Sequence, residues 1–326
     1  MWAAVEITPW HWVSFIVCVL LLLALDLGIF HRRARVVKFR EAAFWTALWT
    51  ALSLGFGAAL IPTLGHGPAV QFLTGYVIEL SLSMDNVFVI ALIFTYFHVP
   101  IEYQHRVLFW GILGALLMRG LMIGLGVALI NRFDWVLYLL GALLLVAGTK
   151  MLFSKGDKVE PDKNFIIRLA RRLLPISTEF SGQRFMVIRD GRRMFTLLLL
   201  VLLAVELSDL IFAVDSIPAV FGVTRNSFIV FTSNVFAILG LRSLYFVLAG
   251  AIGLFRYLKF GLSVVLLFIG VKMLIDPHDH PPRWFQYDIP DSTSLIVVGG
   301  IITAAIVASL ITGRRQKATL PGVGPV

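Results

Sequence analysis

Residues 70–96 read VQFLTGYVIELSLSMDNVFVIALIFTY. The stretch is long and apolar enough to cross a bilayer, which takes about 20 mainly apolar residues in a helix, yet it carries Glu79 and Asp85 in its middle. A carboxylate at the centre of a membrane span costs at least ~2.5–3.5 kcal/mol on insertion scales, so such residues are rare and mark ion pathways by default. The rest of the chain has the same character. It has 326 residues, 59% apolar and 14% charged, where soluble domains average about 45–50% and about 25%.

Nine apolar runs are long enough to span: about 10–30, 42–61, 70–96, 107–130, 135–153, 195–221, 227–250, 255–275 and 293–312. They predict an all-α, polytopic transmembrane helical bundle. No Lys or Arg precedes the first run, and Arg32, Arg33, Arg35, Lys38 and Arg40 follow it, the reverse of a cleavable signal peptide. With the N-terminus outside, the inside connections hold 21 Lys and Arg and the outside ones only Arg132, Arg225 and Arg283. This positive-inside bias predicts a cytoplasmic C-terminus. It also explains the net charge of +9 without a nucleic-acid partner; the lipid bilayer is the expected surrounding. The only cysteine, Cys18, excludes an internal disulfide framework or a Cys-rich metal site.

The runs organise the chain into a two-span segment (1–69), a first three-span unit (70–153), an inside loop (154–193), a second three-span unit (194–275) and a final part (276–326). Within the loop, residues 163–175 predict an interfacial amphipathic helix, and FMVIRDGRRMF around Asp190-Gly191 a short hairpin. The two units resemble each other. Aligning Asp85-Asn86 with Asp215-Ser216 sets Glu79 opposite Asp209, Arg119 opposite Arg242, and Gly148-Thr149-Lys150 opposite Gly270-Val271-Lys272. Three spans per unit invert the second copy relative to the first, the arrangement of carriers with a midplane site.

Six acids fall inside the runs, Asp26, Glu79, Asp85, Glu206, Asp209 and Asp215, against four bases, Arg119, Lys150, Arg242 and Lys272. Candidate metal ligands are Glu79, Asp85, Asn86, Glu206, Asp209, Asp215 and Ser216, with the hydroxyls of Ser83 and Ser208. An oxygen-only donor set without His or Cys suits a hard divalent cation such as Mg²⁺, Ca²⁺ or Mn²⁺. Met84 offers a thioether that would favour Mn²⁺, beside its plainer role in packing. Arg119 and Arg242 are expected to pair with site acids, Lys150 and Lys272 to snorkel or pair near span ends, and Asp26 to pair with a base or join a pathway. The segment Asp276-Pro277-His278-Asp279-His280 reads as a polar loop or a weak metal-collecting patch. Residues six apart point about 120° apart on a helix, so Glu79 with Asp85, or Asp209 with Asp215, cannot share one ion on a regular helix: either the helices unwind there or the acids serve different roles. Pro218 predicts a break in the sixth span, between about Asp209 and Pro218.

The segments Glu79-Leu-Ser-Leu-Ser-Met-Asp85-Asn86 and Glu206-Leu-Ser-Asp209-Leu-Ile-Phe-Ala-Val-Asp215-Ser216-Ile-Pro218-Ala resemble the paired motifs of the TerC/Alx integral membrane proteins. The Gly191-Arg192-Arg193 lead-in and the stretch from Asn234 to Leu241-Arg242-Ser243-Leu244-Tyr245-Phe246 are similar too. The resemblance implies a bacterial inner-membrane protein linked to manganese export, historically to tellurite resistance, and distantly to lysine exporters. The expected function is therefore a secondary transporter expelling Mn²⁺ as cargo, in exchange for protons and with no prosthetic group. The alternatives are a metal-delivery or stress-resistance subunit and an amino-acid exporter. No nucleophile–base pair or metalloprotease motif suggests an enzyme.

Overall fold

The computed structural model describes residues 7–30, 39–153, 172, 175–177, 180–189, 191–249, 257–276, 286–287 and 289–318. The described chain is a helical bundle. Its helices are α1 (Pro9–Phe30), α2 (Phe39–Leu64), α3 (His66–Tyr96), α4 (Ile101–Arg132), α5 (Trp135–Phe153), α6 (Leu197–Phe221), α7 (Ser227–Leu239), α8 (Leu241–Ala249), α9 (Leu258–Ile275) and α10 (Asp291–Ala318). Among the described residues seven helices are long and apolar enough to cross a membrane, or eight when the bent pair α7–α8 counts as one span. The shorter apolar helix Pro9–Ala24 stands beside them. Leu117, Leu121 and Val146 are exposed on the outside of the bundle, as expected of side chains solvated by lipid tails rather than water.

Local chemistry sets the boundaries. Gly65, at φ 96°, takes the left-handed conformation that a residue with a Cβ resists and separates α2 from α3. Pro100 precedes α4 with φ −55°, preorganised for a helix start. The Asn226 side chain accepts hydrogen bonds from the Phe228 and Ile229 amides at 3.0 and 3.4 Å, capping α7.

The expected single seventh span is two helices. The chain bends by 42° between α7 and α8, at Gly240 with Ser243 one turn on. The Ser243 hydroxyl donates to the Gly240 carbonyl at 2.9 Å, and glycine–serine pairs are common kink sites because glycine gives no side-chain support and serine offers the backbone an alternative bond. Conversely, the break expected before Pro218 does not occur: α6 runs through it from Leu197 to Phe221. Pro218 lies in the last turn, where its ring forfeits only the bond to Val214, and the ladder resumes with Gly222 N–H donating to the Pro218 carbonyl at 3.0 Å.

The hairpin is present. Strands β1 (Met186–Arg189) and β2 (Arg192–Phe195) pair antiparallel, with Gly191 at φ 73° in the turn. The amphipathic helix expected at 163–175 lies almost wholly outside the described residues, as does the loop with His278, Asp279 and His280.

Two close approaches organise the interior. On α5 and α9, a Cβ at Gly270 would stand 3.0 Å from the Gly141 carbonyl oxygen, and one at Gly148 would stand 3.0 Å from the Ser263 carbonyl oxygen. Position numbers rise on one helix as they fall on the other, so the two run antiparallel with their backbones nearly touching, as small residues permit in membranes. The second pair, α3 and α6, is also antiparallel. One apolar cluster joins Ile78 of α3 to Ala213, Ile217 and Val220 of α6. Another joins Val87, Ile90 and Phe94 to Leu198, Val201 and Val205. The stretch between them, roughly mid-length on both helices, holds the polar residues.

Candidate functional site

On a helix, residues i, i+4 and i+7 share a face. Glu79, Ser83 and Asn86 stand in that relation on α3, and Asp209, Ala213 and Ser216 do so on α6. Glu79, Ser83, Asn86, Ala213 and Ser216 are all buried, and Glu79 is 0% exposed. The two faces meet. The Asn86 amide donates to Asp209 Oδ1 at 3.3 Å, and the Ser216 hydroxyl donates to Glu79 Oε1 at 3.4 Å.

Arg119 of α4 enters between them, only 2% exposed. Its Nε donates to Asp209 Oδ2 at 3.2 Å and its Nη2 to Asp209 Oδ1 at 2.8 Å, a bidentate fork. Its Nη1 pairs with Glu79 Oε1 and donates to Ser216 Oγ at 3.3 Å and to Asn234 Oδ1 of α7 at 2.9 Å. A guanidinium cannot lose its proton in a protein, so two carboxylates, Glu79 fully buried and Asp209 13% exposed, share one fixed positive charge.

Several polar atoms nearby have no hydrogen-bond partner among the described residues. They are Glu79 Oε2, Ser83 Oγ, Asn86 Oδ1, Glu206 Oε2 and Asn234 Nδ2. A buried polar group left unpaired costs about 1–3 kcal/mol, so several around one point call for an explanation in function. Four of the five are oxygen acceptors, the donor type of a hard-cation site.

Glu206 lies one turn before Asp209 on α6. Its carboxyl group is pressed against Gly114 of α4, where a Cβ would overlap all three carboxyl atoms. Asp85 and Asp215 are half-buried and stand apart from Arg119; neither makes a hydrogen bond or ion pair among the described residues. Each interacts electrostatically with a lysine of the other unit, Asp85 with Lys259 and Asp215 with Lys150. The helices thus stay regular and divide the acids, one of each six-residue pair facing Arg119 and the other facing elsewhere.

Arg242 is buried at the start of α8. Lys150 is exposed on α5. Lys272 does not snorkel: it is 3% exposed and pairs with Asp291 Oδ1 at 3.6 Å. The Gln71 amide donates to Asp291 Oδ2 at 2.8 Å and its carbonyl accepts from the Thr224 hydroxyl at 2.7 Å. Asp26 lies on α1, with its side chain outside the described residues. Among the described residues no group of three or more His, Cys, Asp or Glu converges tightly enough to form a metal cage. Asn234 and Gly114 were not among the residues expected at the site. The signal for Asn234 was an amide inside an apolar run; Gly114 had none.

The chain is 51% identical over 309 residues to the uncharacterized membrane protein STKORF319 of Myxococcus xanthus, covering 94% of each chain. It is 46% identical over 320 residues to the putative membrane-bound redox modulator Alx of Escherichia coli K12, covering 95% of this chain and 97% of that one. An uncharacterized membrane protein of Rickettsia bellii is 34% identical over 304 residues, covering 93% of this chain and 99% of its own. No solved structure matches. The description of integral membrane proteins of the TerC family fits residues 64–317, which include every residue placed around Arg119, and the chain belongs to that family.

Proposed function

We propose that the protein is a secondary transporter, not an enzyme, that exports Mn²⁺ from a bacterial cytoplasm by alternating access. One observation carries the reading: Glu79 and Asp209, which the sequence sets opposite each other in the two units read as inverted copies, meet at Arg119 between antiparallel helices. The cross-pairing of Asn86 with Asp209 and of Ser216 with Glu79 exchanges corresponding residues of the two units. So does the approach of Gly141 to Gly270 and of Gly148 to Ser263. Both patterns suit a pseudo-two-fold axis through the middle of the bundle, where carriers of this kind bind cargo.

The charge count supports a divalent ion. Glu79, Glu206 and Asp209 against Arg119 leave a formal charge of −2, which one divalent cation or two protons would neutralise, so exchange of one for the other would drive export. Asp85 and Asp215 belong to the route rather than to the first ligands. Amino-acid export is disfavoured because the Arg119 fork, the group that would take a substrate carboxylate, is engaged by two of the protein's own. The relatives' title of redox modulator does not extend to dithiol chemistry here, since Cys18 is the only cysteine. The test is Mn²⁺ flux into liposomes holding the purified protein, with Mg²⁺, Ca²⁺ and lysine as rival cargoes. Lysine flux without metal flux would replace the reading.

A further inference from the structure

Arg119 stands where a cation is wanted. It touches both acids, yet its donors leave Glu79 Oε2, Ser83 Oγ and Asn86 Oδ1 without partners. These three atoms belong to one face of α3. A guanidinium is flat and its five N–H groups point along fixed directions, so with its fork spent on Asp209 and Nη1 on Glu79 Oε1 it leaves those three atoms unserved. A divalent ion has no such plane. It gathers six or more oxygens around itself, and Glu79, Ser83, Asn86, Asp209 and Ser216 would supply them from two helices.

We propose that Arg119 is a tethered competitor for the cargo: it occupies the Glu79 and Asp209 carboxylates, and the divalent ion binds by displacing it. The inference rests on the transport reading above and adds the rule by which the site is loaded. The Asn234 carbonyl, at 2.9 Å from Nη1, holds the guanidinium on the acids and so acts as a positioning residue. Asn234 comes from α7, just before the bend at Gly240, so loading of the site is felt on the one helix of the second unit that is already broken.

A competitor that holds the acids most of the time reduces apparent affinity by the fraction of time they are free. With that fraction at about 0.1–10%, removing the guanidinium tightens ion binding by about ten- to a thousandfold. The same change removes the charge that balances the acids when no ion is held. Ion-for-ion exchange then survives while net export fails.

The experiment measures Mn²⁺ binding to the full chain in detergent through loss of the free-Mn²⁺ paramagnetic resonance signal. It compares wild type with Arg119→Gln, Arg119→Lys and Asn234→Ala, and follows net Mn²⁺ export and Mn²⁺–Mn²⁺ exchange for each in liposomes. Arg119→Gln is expected to bind tighter by that factor and to exchange without net export. Arg119→Lys, a point charge without the fork, is expected to fall between it and wild type, and Asn234→Ala to tighten binding at least about tenfold, the worth of a hydrogen bond to a charged group. Folded Arg119→Gln that binds no tighter than wild type overturns the inference and leaves the transport reading standing. If that variant does not fold, Arg119→Lys decides in the same way. A wild-type protein that binds no Mn²⁺ overturns the transport reading itself.

Discussion

Replacing Gly114 with alanine separates the position of one carboxylate from the stability of the fold. The three atoms nearest to a Cβ at position 114 all belong to the Glu206 carboxyl group, the far end of a flexible side chain. The side chain must therefore yield, by roughly 1.5–2 Å to regain ordinary contact distance. An off-rotamer side chain costs about 0.5–1.5 kcal/mol, while alanine gains about 0.8–1.0 kcal/mol over glycine inside a helix. The two nearly cancel, so stability should change by less than about 1 kcal/mol. Transport should not escape so lightly. Moving a working group by about 1 Å can cost on the order of a hundredfold in rate, and Gly114→Ala should approach the loss expected of Glu206→Gln. Thermal unfolding followed through the eight tryptophans, alongside Mn²⁺ flux in liposomes, reads both quantities on one preparation. Wild-type flux in a folded Gly114→Ala protein would show that the placement of Glu206 is immaterial. A stability loss above about 3 kcal/mol would show that α4 and α6 pack more rigidly there than described.

Glu79→Gln and Asp209→Asn should each leave the protein folded but lower Mn²⁺ flux at least about tenfold, since one acid keeps Arg119 engaged while the site loses a charge; cellular manganese tolerance checks this. At the seam between α5 and α9, Gly148→Val or Gly270→Val should destabilise the protein by about 1–3 kcal/mol, because a carbonyl oxygen stands in the way beside a leucine side chain and cannot move aside alone, with unfolding temperature as the readout. An imposed pH gradient should drive Mn²⁺ against its own gradient with protons moving oppositely, and flux that ignores pH but follows voltage would indicate a channel. On a Cys18→Ser background, single cysteines placed in 154–193 should resist membrane-impermeant labels in intact cells; labelling there would reverse the inferred orientation.

The helical class was legible because lipid demands long apolar runs; nine runs were read, and the described residues hold seven helices long and apolar enough to span, or eight with the bent pair. The breaks were not. Pro218 drew attention as the residue that removes a hydrogen bond, but near a helix end that loss is confined, whereas Gly240 with Ser243 bends a helix through a quieter local exchange of bonds. The acids Glu79 and Asp209 could be named from their mid-span positions. Their separation from Asp85 and Asp215 was half visible: the six-residue spacing showed that each pair had to divide or the helices had to unwind, and only packing decided for division. The face Glu79, Ser83, Asn86 was written in the spacing. Asn234 and Gly114 depend on which helices become neighbours, and no local pattern carries that information.

Glu79 and Arg119 both belong to the portion of the chain made before the long loop, while Asp209, Ser216 and Asn234 follow it. Domains assemble from the N-terminus as synthesis proceeds, so the earlier portion can enter the bilayer with its buried acid already matched by its own arginine. The later portion brings Asp209, which is met by Arg119 of the earlier portion although Arg242 lies in its own. Its reception depends on α4 being in place, which makes the order of synthesis itself part of how the charges reach the middle of the membrane.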